Sequence, residues 1–102
     1  MIPLEKEIEA KLVDVVNRYG GLCLKWVCPG WAGVPDRIVL LPGGKVIFVE
    51  LKRPKGGVIS SRQRWWAYKL TLLGFMHYYL YDNTSLRAFE VSVLVPTREV
   101  RR

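Results

Sequence analysis

The feature that most constrains the fold is a predicted β-hairpin with acidic residues at its open end. Arg37–Leu41 is predicted to be a strand rich in apolar residues, Pro42-Gly43-Gly44 is a turn signal, and a second such strand extends over Lys45–Lys52. Two such segments joined by a glycine-rich turn are typical of paired antiparallel strands. Asp36 precedes the first strand and Glu50 lies near the end of the second. The hairpin therefore brings two carboxylates to one place.

The second strand of this hairpin is predicted to be central in a sheet. Side chains alternate between the two faces of a strand, and here Ile47, Val49 and Leu51 share one face. The opposite face carries Val46, Phe48, Glu50 and Lys52. Because both faces are rich in apolar residues, we expect helices to cover the strand on both sides.

The flanking segments predict an α/β fold. Before the hairpin, a helix is predicted over Leu4–Tyr19 that ends at Gly20-Gly21, followed by a strand over Leu22–Val27. After the hairpin, a second helix is predicted from an N-cap at Ser60 or Ser61 to about Leu73, followed by a strand over Phe75–Tyr81. The predicted order is α-β-β-β-α-β, with a mixed central sheet flanked by helices. We expect residues 1–102 to form a single domain.

The last segment fits two structures. Phe89, Val91, Val93 and Val95 alternate as in a strand, whereas Leu86, Phe89, Glu90 and Val93 suit a short helix that starts at the turn Asp82–Ser85. Pro96 is expected to end either element.

Charge favours a polyanionic partner. The 102 residues include 16 Lys and Arg against 9 Asp and Glu, a formal net charge of +7. Such a balance favours DNA or RNA, although charge that serves only solubility is the alternative. We expect no membrane partner because no apolar run is long enough to span a bilayer. The N-terminus lacks the apolar core of a signal peptide, so a cytoplasmic location is expected.

The acidic residues at the hairpin suggest a metal-assisted reaction. Carboxylates and carbonyl oxygens bind Mg²⁺ and Mn²⁺, and Asp36, Glu50 and the backbone carbonyl of Leu51 are the expected ligands. Lys52 shares the face of Glu50 and is expected to stabilise charge on a phosphate. Glu9 borders the apolar face of the first helix and is the expected third acidic ligand, with Glu5 as the alternative.

Cysteine and histidine are expected to be structural. A structural zinc site needs four ligands, and Cys23 and Cys28 have only His77 as a further soft ligand. A cytoplasmic chain favours buried thiols over a disulfide, and His77 lies within a predicted strand.

Basic and aromatic residues cluster around the second helix. Arg53, Lys55, Arg62 and Arg64 are expected to contact DNA phosphates, and exposed aromatic rings can stack on unpaired bases. Alternatively, Trp66, Leu70 and Leu73 form the core face of this helix. Gln63 can orient water or a ligand near the metal, or be an ordinary exposed residue of the first turn.

Gly33–Arg37, Phe48–Lys52 and Gln63 together resemble the virus-type replication-repair nuclease family, VRR-Nuc, a branch of the PD-(D/E)xK nucleases. The resemblance implies a restriction-endonuclease-like core, dependence on Mg²⁺ or Mn²⁺, and cleavage of DNA. It places metal ligation on Glu9, Asp36 and Glu50, and catalytic roles on Lys52 and Gln63. Short stand-alone members are similar to phage proteins, which would place this chain in a host cytoplasm, and resemble Holliday-junction resolvases.

We therefore expect a metal-dependent endonuclease that acts on branched DNA such as four-way junctions. Symmetric cuts in two strands need two active sites, which a homodimer supplies most simply. Its interface can come from the aromatic residues Trp31, Trp65, Tyr78, Tyr79 and Tyr81. The alternatives are a flap or restriction-like nuclease on the same scaffold and a non-catalytic nucleic-acid-binding module.

Overall fold

A four-stranded mixed sheet flanked by helices forms the body of the protein in the computed structural model, which describes residues 5–54 and 56–100. The elements in chain order are α1 (Glu5–Arg18), β1 (Leu22–Lys25), β2 (Arg37–Leu41), β3 (Lys45–Leu51), α2 (Ser61–Leu72), β4 (Met76–Leu80), α3 (Asn83–Phe89), a π-helical turn (Glu90–Leu94) and α4 (Val95–Val100). The expected order is confirmed through β4, and the observed elements are one to two residues shorter at several ends.

The sheet has the order β1-β2-β3-β4, in which the first three strands are antiparallel and β4 is parallel to β3. Positive φ angles at Gly43 and Gly44 turn the chain between β2 and β3, a conformation that glycine adopts without steric cost. Arg37 pairs with Val49 in this hairpin. Continuing the same register places Asp36 opposite Glu50.

One face of the sheet is covered by α1 and the C-terminal helices. The apolar stripe predicted for α1 is confirmed, since Ile8, Leu12, Val15 and Val16 are all buried. The same core contains one face of β3 and part of the C-terminal segment: Ile47, Val49, Leu51, Phe89, Val93 and Leu94. The apolar contacts of α1 thereby hold the sheet from one side.

The opposite face is aromatic and lies beneath α2. Phe48 on β3 contacts Trp26 and Phe75, and Trp26 in turn contacts Trp66 of α2. The last five residues of β3 are buried, so the prediction of a central, doubly covered strand is confirmed. Glu50 therefore lies in a layer between the sheet and α2.

The segment after β4 is helical, and the strand alternative is wrong. Asp82 caps α3 by accepting a hydrogen bond from the backbone N–H of Ser85. Phe89 and Val93 are 1% exposed, while Val91 is 52% exposed. Spacing by four residues thus buries one helical face, and the apparent alternation arises because branched residues also occupy the exposed face.

Pro96 does not end this segment, contrary to expectation. It lies in the first turn of α4, directly after the π-helical turn. Proline is tolerated at a helix start because its missing N–H is not needed there. The hydroxyl of Thr97 donates to the Val93 carbonyl at 2.8 Å, which satisfies an acceptor near the proline.

One residue considered for the core face of α2 is instead exposed to solvent. Leu70 is buried, but Leu73 is 61% exposed because it is the C-cap residue, where the helix ends. Among the described residues, no helix combines the length and apolar character needed to cross a bilayer.

Candidate active site

Glu50 is the most deeply buried acidic residue of the described chain and the centre of the candidate site. It is 2% exposed. Its Oε2 accepts a hydrogen bond from Gln63 Nε2 at 2.7 Å and lies 3.7 Å from Lys52 Nζ. Within the described ranges, Oε1 has no hydrogen-bond partner. Oε1 is therefore an acceptor available to a ligand that the protein itself does not supply.

The surroundings of Glu50 oppose its ionisation. The pKa of Glu50 is raised from 4.5 to about 7. Burial is the largest cause, the charge of the nearby Asp36 carboxylate adds to it, and the charge of Lys52 acts in the opposite direction. Two carboxylates so close together repel each other unless a proton or a cation lies between them. The site therefore favours occupation by positive charge.

Asp36 is held by the backbone at the start of β2. Its Oδ2 accepts a hydrogen bond from the Leu51 N–H at 2.8 Å. Because the N–H and C=O of a strand residue face the same neighbouring strand, the Leu51 carbonyl faces the side on which Asp36 lies. Pro35 is buried before Asp36 and restricts the chain there.

Gln63 joins the start of α2 to the site through a capping box. Its Oε1 accepts from the Ser60 N–H at 2.9 Å, and its own N–H donates to Ser60 Oγ. The remaining amide nitrogen binds Glu50. Gln63 is thus a capping residue whose amide nitrogen also binds the Glu50 carboxylate, and its role near a metal stays a prediction.

Glu9 is separated from the other acidic residues by an ion pair. Its Oε2 lies 2.8 Å from Arg37 Nε, and Arg37 also donates to the Cys23 carbonyl. The helical acid whose charge acts on Glu50 is Glu5, one turn earlier. Glu9 as the third acidic ligand, with Glu5 as the alternative, therefore stays a prediction, and binding of a metal by Glu9 would compete with its ion pair to Arg37.

The donor set fits a hard divalent cation in part. Across residues 5–54 and 56–100, no three His, Cys, Asp or Glu side chains converge closely enough to enclose a metal. The unpartnered Oε1 of Glu50, the adjacent Asp36 carboxylate and the Leu51 carbonyl are nevertheless all oxygen ligands, the type that Mg²⁺ and Mn²⁺ prefer. Water and substrate oxygens commonly complete such sites.

The predicted DNA-binding residues lie around α2. Arg53, Arg62 and Arg64 are exposed, and Lys55 lies outside the described residues. In the described part of the chain, none of the three arginines makes an ion pair. Arg64 donates one hydrogen bond to the Ile59 carbonyl and keeps further N–H groups for an anion.

Two groups beside the site were expected only as structural residues or as interface residues. Tyr79 pairs with Glu50 across the parallel strands, and burial together with the Glu50 charge raises the pKa of its hydroxyl. His77 contacts the Tyr79 ring, and burial lowers the pKa of its imidazole. The parallel register of β4 with β3 places both residues beside the site, and no pattern in the sequence predicts that register.

The two cysteines are free. Cys23 is buried, and burial raises the pKa of its thiol to about 11, so it remains protonated and unreactive. Cys28 is only partly buried. The expectation of a buried thiol is thus met by Cys23 alone.

Comparison with known proteins identifies the fold. No family model matches the sequence. A stretch of 50 residues is 56% identical to "Putative nuclease p44" of Acyrthosiphon pisum secondary endosymbiont phage 1, and it covers 49% of this chain and 54% of that protein. The chain thus matches about half the length of this curated relative.

A solved structure described as a VRR_NUC domain is similar over most of the chain. The TM-score is 0.82, with 87% of this chain and 96% of that chain covered at 21% identity. The protein therefore has the restriction-endonuclease-like fold of the VRR-Nuc domain, as its sequence resemblance to that family indicated.

Proposed function

We propose that this protein is a metal-dependent DNA endonuclease that hydrolyses phosphodiester bonds in branched DNA, with the four-way junction as the first substrate to test. The observation that carries the proposal is the buried Glu50 carboxylate, with one oxygen bound by Gln63 and Lys52 and the other without a hydrogen-bond partner among the described residues. The VRR_NUC fold and the phage relative named as a nuclease support the same activity.

Asp36, Glu50 and the Leu51 carbonyl are the proposed metal ligands, with Glu9, or Glu5 as the alternative, as the helical acid. A divalent cation bound there would stabilise charge on the phosphate and favour ionisation of a water molecule. Gln63 orients Glu50 through its amide. Lys52, whose side chain is 18% exposed, can reach a phosphate oxygen and stabilise its added negative charge.

The acids also argue against a protein that only binds nucleic acid. The Glu50 and Asp36 carboxylates repel a phosphate backbone, and the burial of Glu50 is itself unfavourable. A binding module has no need of such a pair, whereas a hydrolytic site does.

A homodimer remains part of the proposal. Of the aromatic residues considered for the interface, Tyr78 packs against Phe89 and Tyr79 against His77, so both rings are partly covered within the protein. Leu22 and Leu24 on β1 are exposed and offer an apolar surface instead. Sedimentation analysis at micromolar concentration should give the mass of a dimer, and a monomer alone would remove this part of the proposal.

The test is cleavage of a labelled panel of four-way junction, flap, plain duplex and single strand. Each substrate is incubated with Mg²⁺, Mn²⁺ or EDTA, and Asp36→Asn is run in parallel. We expect paired symmetric cuts in the junction that disappear in EDTA and in the variant. Preferential cutting of flaps or duplex would support the assigned active site but indicate a flap or restriction-like nuclease. Absence of metal-dependent cutting would favour a non-catalytic nucleic-acid-binding module.

A further inference from the structure

An open cavity lies beside the candidate active site, between the loop that precedes β2 and the start of α2. Its volume is about 440 Å³, within the range of ligand pockets. It is lined by Trp31, Ala32, Ser61, Arg62, Trp65 and Trp66. None of these residues takes part in the contacts of Glu50 or Asp36 described above.

The walls of this cavity are held in place by the protein alone. Trp66 Nε1 donates a hydrogen bond to the Ala32 carbonyl at 3.0 Å. Gly33 has a φ of +82°, and a Cβ placed on it would lie 2.7 Å from the Cβ of Arg62. Because only glycine permits this approach, the loop packs directly against α2, and the cavity is formed before any ligand arrives.

Two tryptophans remain open to solvent on this framework. Trp31 and Trp65 each contact Trp66 edge to face, with interplanar angles of 76° and 86°. Even so, Trp31 is 57% exposed and Trp65 is 47% exposed. Large aromatic surfaces left exposed on a fixed framework indicate a binding site.

The charge beside these rings identifies the chemistry of the ligand. Arg62 lines the cavity, is exposed, and among the described residues makes no ion pair. A guanidinium that lines the same cavity as aromatic rings suits a planar ring that carries a phosphate, since arginine both stacks and binds phosphate. An uncharged apolar peptide would provide no anion for the Arg62 guanidinium, whereas DNA does, and the net charge of +7 also favours a polyanion.

We propose that the Trp31–Trp65 cavity, defined by the six lining residues above, binds an unpaired nucleobase of the DNA substrate, with its phosphate on Arg62. The proposal rests on the proposed nuclease function and names the structural element of branched DNA that the protein recognises. Arg62 is followed directly by Gln63, which binds Glu50. A base in the cavity therefore positions the adjoining strand near the carboxylates.

The experiment measures binding in EDTA, so that no cleavage is required. Two duplexes carry the fluorescent base 2-aminopurine, either as a single-base bulge or paired with thymine. The protein should bind the bulged duplex more tightly and quench its fluorescence. Trp31→Ala and Trp65→Ala should each weaken bulge binding about tenfold and reduce quenching, with affinity for the paired duplex within about twofold of the parent.

Controls separate stacking from charge and from loss of structure. Tyr81→Ala removes an aromatic residue that is 44% exposed but does not line the cavity, and it should change neither affinity. Trp31→Phe keeps a ring and should retain most of the quenching if stacking is the cause. Arg62→Lys keeps the charge and should preserve binding to the paired duplex. Thermal melts verify that each variant is folded.

Three results would overturn the cavity proposal: equal losses on both duplexes, no loss on either, or a Trp31→Ala variant that changes only the oligomeric mass. The last result would assign the cavity to a second copy of the chain. Failure of the proposed function is distinguishable, because bulge-specific quenching without any metal-dependent cleavage would leave the cavity as a DNA-binding site. Cleavage without bulge preference would reject the cavity alone.

Discussion

Asp36 and Glu50 show how two residues of one type acquire different properties from their surroundings. Asp36 accepts a backbone hydrogen bond, whereas Glu50 is buried and keeps one oxygen without a partner in the described structure. Burial disfavours the ionised form of Glu50 and is the largest cause of its raised pKa. Positive charge between them is therefore needed when both are ionised.

Asp36→Asn should abolish cleavage and leave DNA binding intact. The amide removes one negative charge that faces the polyanion, so binding in EDTA should be unchanged or tighter, while cleavage should fall by about 10²-fold or more. Asp14→Asn is a suitable control because Asp14 is exposed on α1 and forms a surface ion pair with Arg18. A fully active Asp36→Asn variant would contradict the site assignment.

Glu50→Gln should stabilise the metal-free protein at alkaline pH. The folded pKa of about 7 lies above the ordinary value of 4.5, so the stability linked to Glu50 is present below pH 4.5 and is lost as the pH rises through 7. Glutamine mimics the neutral acid and avoids this loss. At pH 8.5 the free energy of unfolding of the variant should exceed that of the parent by up to about 3 kcal/mol.

Urea unfolding in EDTA at pH 4.5 and at pH 8.5 measures this difference. The two proteins should be similar at the lower pH and diverge at the higher one, and the variant should not cleave DNA. A stability difference that is the same at both pH values would contradict the assigned titration of Glu50.

Among the secondary-structure elements, the contact between the start of α2 and strand β3 is the one on which the candidate site depends. The capping box of Ser60 and Gln63 determines where α2 begins, and the free amide nitrogen of Gln63 then reaches Glu50. A stabilising feature of the helix end and an active-site contact therefore share one side chain. Their effects can be separated by changing one partner at a time.

Ser60→Ala should lower the free energy of unfolding by about 1 kcal/mol and leave most of the activity. Gln63→Ala should cost a similar amount but reduce cleavage at least tenfold, because it also leaves Glu50 without its amide donor. Denaturant melts and cleavage rates of both variants test this prediction. Equal activity of the two variants would show that the contact of Gln63 with Glu50 has no role in the reaction.

At the scale of the whole molecule, the positive charge should set how DNA binding depends on salt. Each phosphate contact contributes about 0.9 to the slope of log affinity against log salt. Arg64→Ala should reduce that slope by about this amount on every DNA sequence tested. Arg18→Ala on α1, where Arg18 is paired with Asp14, should leave the slope unchanged.

Fluorescence anisotropy between about 50 and 200 mM salt provides the measurement. An unchanged slope for Arg64→Ala would place the DNA elsewhere on the surface. A sequence-dependent loss would instead indicate that Arg64 reads a base edge, contrary to the expectation of phosphate contacts.

The sequence by itself determined the parts of the site that lie close together along the chain. Asp36 and Glu50 meet because a hairpin pairs residues symmetrically about its turn, and Gly43 and Gly44 mark that turn. The start of α2 follows equally from local chemistry, since Ser60 and Gln63 satisfy each other's backbone groups.

Only the packing of the elements against one another determined how Glu9 is paired and whether the last segment is helical. Glu5 and Glu9 both border the apolar stripe of α1, and only the packing of α1 on the sheet brings Arg37 to Glu9. Packing against α1 and the sheet likewise selects helix for Phe89 and Val93. These contacts join residues far apart in sequence, so no local pattern of spacing or propensity contains them.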